Sequence, residues 1–276
     1  MRIDAHHHVW ELNRRPQEWL DEPGMEAIRR DFTLRDFPGT GIDRTILVQV
    51  LADAAETGEF LAAAAASDLV AGVVGWMDLT CGALPGSPGP LVGIRHLVQG
   101  EPDPDWLNRP DVRRGLRAVA DAGLAYDLLT LPHQLPAAIE TVRALPDLTF
   151  VLDHLAKPPI ASGELEPWAT DLRRLAAEPN AYCKLSGLVT EAGAGWTVAD
   201  LRPYADVALE AFGPARMMFG SDWPVCLLAA AYAEVVAAAE ELTAGLTPAE
   251  RSDIFGGTAV RAYRLDARPP RPAAAT

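Results

Sequence analysis

RIDAHHHVWEL, Arg2 to Leu12, reads as a short strand that ends in three consecutive histidines. The chain has six histidines in 276 residues, so half of them stand here. Side chains on a strand alternate between its two faces. His6 and His8 are therefore expected to share a face with Asp4, while His7 faces a helix layer or the rim. A chance cluster or a tag remnant does not explain histidines set in a β-run that continues into Val9-Trp10.

Seven more β-branched or apolar runs follow at fairly even intervals. With the first they are Ile3–His8, Thr45–Val50, Val70–Met77, Leu91–Leu97, Ala125–Thr130, Thr149–His154, Ala181–Leu185 and Met217–Ser221. Helical spacing of apolar residues separates most of them, over Glu59–Ser67, Asp111–Ala122, Leu135–Ala144, Trp168–Ala177, Val198–Phe212 and Ala229–Leu242. Strand then helix, repeated about eight times, is the pattern of a parallel sheet covered by helices. At this length, right-handed crossovers close such units into an α/β (β/α)8 barrel. A doubly wound open sheet is the second reading, weakened because no glycine-rich phosphate loop follows the first strand.

One unit breaks the pattern. LTCGALPGSPGP, Leu79 to Pro90, holds three glycines and three prolines in twelve residues. No useful helix fits there, so a loop is expected in place of the third helix, leaving wall that a partner subunit could cover. A single domain is expected over residues 1–266, with 267–276 a mobile proline- and alanine-rich tail.

Net charge is −14, from 38 acidic and 24 basic residues, which argues against nucleic acid. Cys81, Cys183 and Cys226 are odd in number and far apart. They fit three small buried residues, not a disulfide framework or thiolate zinc site. No apolar run reaches membrane-spanning length and no leader pattern opens the chain, so a cytoplasmic protein is expected.

Active-site groups of a parallel barrel stand at the C-terminal ends of its strands. In strand order those ends carry His6-His7-His8, Gln49, Trp76-Met77-Asp78, Arg95-His96, Asp127, Asp153-His154, Lys184 with Ser186, and Ser221-Asp222-Trp223. Ionisable groups at the ends of apolar strands mark a candidate site, because burying them unpaired is costly. Imidazoles there can hold a divalent metal or polarise a carbonyl, and Asp222 can accept a proton from water. No nucleophile elbow surrounds Ser186 or Ser221. Asp153 is expected to orient His154 or a neighbouring loop. Lys184 can neutralise a carboxylate or meet sugar hydroxyls. Trp10, Trp76 and Trp223 can stack on a sugar or belong to the core.

At these residues a resemblance emerges. D-x-H-x-H on strand one, VLDHLAKPPI at Val151–Ile160 and MFGSDWPVC at Met218–Cys226 resemble the amidohydrolase superfamily. More closely, with LVGIRHLVQGEPDPDWL at Leu91–Leu107 and YCKLSGLVTEA at Tyr182–Ala192, they resemble its sugar-lactone hydrolases: the L-fuconolactonase, L-rhamnonolactonase and pyrone-dicarboxylate lactonase relatives. The resemblance implies a (β/α)8 barrel that opens a small sugar-acid lactone. It implies Asp222 as general base, with His154, His6 and His8 beside it, and Arg95 near the substrate. His96, Gln49, Trp76 and Lys184 complete the expected substrate-binding set. His6, His8 and Asp222 are the expected ligands for a single zinc or manganese ion, which catalysis can dispense with. The middle strands offer Asp127 and Arg95-His96 where metal enzymes of the superfamily add a histidine and a bridging group, so no second ion is expected. Two alternatives stay open: a metal-dependent amidohydrolase or decarboxylase of the superfamily, and a non-catalytic barrel that binds a sugar acid. The expected partner is the lactone, with no nucleic acid and no membrane; a homo-oligomer is allowed.

Overall fold

A computed structural model describes residues 1–82 and 89–265. Eight strands form one all-parallel sheet in sequence order: β1 Ile3–His7, β2 Arg44–Val48, β3 Val70–Gly75, β4 Leu91–His96, β5 Ala125–Leu128, β6 Thr149–Leu152, β7 Ala181–Leu185 and β8 Met217–Phe219. The sheet curls into a nearly closed barrel, so the (β/α)8 expectation is met. Its seam runs just beyond β8. His8 N donates to Trp223 O at 2.7 Å, and Asp222 N donates to His6 O at 2.8 Å. The segment that carries Asp222 thus closes the barrel.

The helix layer follows the periodicity with shifts at the ends. It comprises α1 Ala54–Ala65, α2 Pro110–Asp121, α3 Leu135–Ala144, α4 Trp168–Ala176, α5 Leu188–Ala192, α6 Val198–Phe212 and α7 Tyr232–Leu242. α1 starts five residues before the expected Glu59, because Asp53 caps it: its carboxylate accepts from Ala55 N at 2.8 Å. α7 starts later than the expected Ala229, after a short 3-10 turn over Val225–Leu228.

Among the described residues no helix lies between β3 and β4. Residues 83–88 of the proline-rich loop fall outside them, as do residues 266–276, which include the expected tail. The described start of that loop packs against α2. Leu79 is buried, and a Cβ on Gly115 of α2 would stand 2.2 Å from the Leu79 carbonyl oxygen. Glycine at 115 therefore lets loop backbone touch helix backbone, and that part of the wall is covered from within the chain. No described helix is long and apolar enough to cross a membrane.

Two apolar layers hold the barrel. A large one lies between strands and helices, including Ile94, Leu116, Phe150 and Leu172. A smaller one lies inside, with Ile3, Ala5, Ile46, Val74, Val151 and Met218. The C-terminal helices α8 Pro248–Ser252 and α9 Thr258–Ala262 were not anticipated. Ala259, Ala262 and Tyr263 join the inner layer and plug it. Cys183 and Cys226 are buried as expected, but Cys81 is exposed; its thiol donates to Asp78 Oδ2 at 3.1 Å in the turn after β3.

Candidate active site

The alternation argument holds for the histidines and fails for Asp4. Pairing runs Asp4 with Thr45 and His7 with Leu47, so β1 takes three steps where β2 takes two. This bulge puts Asp4 out of phase with His6 and His8. Its Oδ1 accepts from Ser221 N at 2.8 Å and His6 N at 3.2 Å, and its Oδ2 from Tyr232 Oη of α7 at 3.3 Å. Beyond the bulge, His6 Nε2 and His8 Nε2 meet at 3.1 Å. His7 turns away: its Nε2 meets Thr45 Oγ1 at 2.9 Å, and its ring packs on Phe37.

Asp222 is the meeting point. Its Oδ1 lies 3.4 Å from His8 Nε2, 3.6 Å from His6 Nε2 and 3.8 Å from His154 Nε2. All four residues are buried. Asp222 sits in the left-handed region, with φ 58°, a conformation that favours glycine or asparagine.

His154 is delivered by a stranger device. His154, Leu155, Ala156 and Lys157 all have positive φ, from 51° to 58°. Left-handed backbone costs roughly 1–2 kcal/mol per non-glycine residue. The turn is held by Lys157 N donating to His154 O at 2.7 Å and Trp168 Nε1 to Leu155 O at 2.6 Å. Leu155, Ala156 and Trp168 are wholly buried. His154 Nδ1 then meets Ser186 Oγ at 2.8 Å. Ser186 thus orients a histidine, a partnership invisible at 32 residues' separation.

Beneath His6 lies a column of buried charge. Arg95 Nη1 donates to Asp153 Oδ2 at 2.9 Å and approaches His6 Nε2 at 3.3 Å, while Nη2 donates to the Gln49 carbonyl and, at 3.3 Å, to Gln49 Oε1. Lys184 Nζ contacts Asp127, Asp153 Oδ1 at 2.9 Å and His6 Nδ1 at 3.1 Å. Tyr263 Oη donates to Asp127 Oδ2 at 2.9 Å. Asp153 therefore braces Arg95, Lys184 and His6 instead of the expected His154. Lys184 and Gln49, both expected at the substrate, are wholly buried and bound to protein groups. Arg95 borders the site through His6. Trp76 Nε1 donates to His96 Nδ1 at 3.0 Å, His96 Nε2 meets Glu101 at 2.7 Å, and the His96 ring stacks on Trp106. These two form a half-buried platform at the ends of β3 and β4. Trp10 and Trp223 are core, packed edge-on with Phe32.

Burial holds His154 down to about 4. Burial and the Lys184 cation hold His6 well below its ordinary value. Both imidazoles are neutral at neutral pH. Burial alone would raise Asp222, but His154, His8 and His6 outweigh it and hold the carboxyl well below the usual range. It is an anion facing three imidazoles.

That donor set fits a divalent ion. A tetrahedral zinc with bonds of 2.0–2.1 Å separates its ligand atoms by about 3.3 Å. The triangle of His6, His8 and Asp222 has edges of 3.1, 3.4 and 3.6 Å. His6, His154 and Asp222 form a looser set, within 4.8 Å of one another. His8 Nδ1 meets the Val48 carbonyl at 2.8 Å. A carbonyl only accepts, so His8 carries a hydrogen on Nδ1 toward Val48, which fixes the ring with Nε2 facing Asp222.

Known proteins resemble this chain over nearly its whole length. An L-fucono-1,5-lactonase of Burkholderia ambifaria is 38% identical over 279 residues, covering 96% of each chain. An L-fucono-1,5-lactonase of Burkholderia multivorans is 39% identical over 288 residues, again covering 96% of each. A zinc-bound amidohydrolase structure from Burkholderia multivorans is 37% identical, with a TM-score of 0.88 over 98% of this chain and 100% of that one. The Amidohydrolase family model matches residues 3–265, from the first strand to the last described residue, and the chain belongs to that family.

Proposed function

We propose that the protein hydrolyses the lactone of a small sugar acid, with L-fucono-1,5-lactone the first substrate to test. The observation that carries this reading is the convergence of three imidazoles on one buried carboxylate at the barrel mouth. The two lactonases, alike over nearly their whole length, support the substrate class.

In this mechanism Asp222 orients a water molecule and accepts its proton as oxygen attacks the lactone carbonyl. The buried imidazole of His154, fixed through Ser186, stands where charge develops on the carbonyl oxygen. The C–O bond of the ring breaks, and the leaving alkoxide recovers the proton from Asp222. A carboxylate held so acidic is a weak base, so the water or carbonyl needs further polarisation. His6, His8 and Asp222 would hold one zinc or manganese ion, which when bound supplies Lewis-acid polarisation. Lys184 faces Nδ1 of His6, the far edge of the ring from that set.

The test is a pH-indicator screen of aldono-1,4- and aldono-1,5-lactones on chelator-dialysed protein, with and without added zinc and manganese. Acid release on at least one lactone, partly retained without ion, is the expected result. No hydrolysis of any lactone, or complete and ion-reversible loss with activity on amides instead, would move the assignment to another amidohydrolase reaction.

A further inference from the structure

A cavity of about 440 Å³ lies between the segment that follows β1, the stretch Phe32–Arg35 and the outer face of α1. None of His6, His8, His154, Ser186 and Asp222 lines it. Its walls are mostly apolar, built from Val9, Trp10, Phe32, Leu34, Phe60 and Ala63. Trp10 and Phe32 are locked together by two backbone hydrogen bonds of 2.8 Å, so the cavity is held open by paired chain. Its size and lining are those of a small-molecule site, for which about 300–1,000 Å³ is usual.

Most polar groups at the cavity are already spent. Arg15 donates to Asp53 and Glu59, Arg14 lies 3.3 Å from Glu59, and Glu56 takes the amides of Val50 and Leu51. Gln17 is the exception. It is only 5% exposed. Trp19 Nε1 donates to its Oε1 at 2.9 Å, and an indole only donates, so the oxygen end of the amide is fixed. Nε2 is left with two hydrogens and no acceptor among the described residues. The nitrogen is not sealed in and the residue lines the cavity, so these hydrogens open into it. At the rim the exposed Arg35 guanidinium has no partner among the described residues, and Glu11 stands on the rim with it.

A buried donor without an acceptor is costly, and a ligand that supplies one recovers that cost. The unanswered groups are an amide N–H pair within and a cation at the mouth, which together match a carboxylate. The walls match an apolar body. A sugar acid would set most of its hydroxyls against Phe32, Leu34 and Phe60, so the cavity is no second copy of the lactone site. We propose that this cavity binds a small carboxylate with an apolar body, separately from the lactone-opening site. Val9 follows His8 directly, and Glu56 holds the residues that follow Gln49, so an occupant rests against the ends of β1 and β2.

Sodium benzoate is the probe, titrated calorimetrically into the full-length protein. The wild type and Asp222→Asn should bind one benzoate per chain alike, and neutral benzamide should bind more weakly. Gln17→Glu keeps the acceptor for Trp19 and removes both free donors, so its Kd should rise by about tenfold or more. Ala63→Phe fills the cavity and should abolish binding. Benzoate binding unchanged in both cavity variants, binding lost in Asp222→Asn, or no saturable binding to the wild type would each overturn the proposal. Should neither cavity variant fold, hydrogen exchange of the wild type decides. Benzoate should protect the amides of residues 9–17 and of α1, and protection absent there or confined to the strand ends around Asp222 would overturn it.

Discussion

A single oxygen of Asp4 accepts hydrogen bonds from the amide of Ser221 at 2.8 Å and from the amide of His6 at 3.2 Å. It pins the two ends of the chain together one residue before Asp222. Asp4→Ala leaves both amides buried without partners, at about 1–3 kcal/mol each, and frees the left-handed turn at Asp222. Asp4→Asn keeps one acceptor oxygen. The alanine variant should therefore lower both Tm and kcat, and the asparagine variant should recover most of each. Equal kcat in the alanine variant and the wild type would detach Asp4 from the site.

Asp222→Asn is nearly isosteric and cannot accept a proton. It should fold, with an unchanged circular dichroism spectrum, and its turnover should fall by about 100- to 10,000-fold. Wild-type turnover would remove Asp222 from the chemistry.

The three adjacent histidines should separate by face. His6→Ala and His8→Ala should act chiefly on kcat and ion binding. His7→Ala should act chiefly on stability, because His7 is wholly buried against Thr45 and Phe37. Steady-state kinetics beside denaturant titration distinguishes the two effects, and a catalytic defect greatest in the His7 variant would contradict the strand register.

Gly187 combines φ 69° with a Cβ position 2.7 Å from the His154 ring. Gly187→Ala must displace that ring from Ser186 or strain the backbone, at about 1–3 kcal/mol. Turnover should fall by about tenfold or more, because small misplacements of a catalytic group are costly, while Tm drops only modestly. Turnover equal to that of the wild type would show that the orientation of His154 is not critical.

Glu56 accepts from Val50 N at 2.8 Å and Leu51 N at 3.0 Å at the end of β2. Burial outweighs those amides and raises its carboxyl from 4.5 to about 7. Between those values the folded protein keeps a proton that the unfolded chain has released. Stability from this group is therefore lost as pH rises through that window, by roughly 1–3 kcal/mol. Glu56→Gln keeps an acceptor and abolishes the titration, so denaturation curves from pH 5 to 8 should be flatter in the variant. Parallel curves would show that Glu56 does not titrate there.

Local pattern carried much of the architecture. Strand positions and most helices were legible because apolar periodicity acts over a few residues. The same alternation put His6 and His8 on one face and His7 on the other. Reading strand ends also brought out His154 and Asp222, because strand direction fixes which end of a parallel barrel bears the site.

Only the tertiary structure decided how those residues are held. The bulge that turns Asp4 away comes from matching β1 to β2, and sequence alternation assumes a regular strand. The left-handed turn at His154 runs against local preference and persists because Trp168 and the core enforce it. Lys184 meets His6 across 178 positions and Tyr263 meets Asp127 across 136. Such pairs form because a closed barrel buries charges that must be neutralised on the spot, and the partner each one finds is set by closure of the sheet, a property that no local stretch contains.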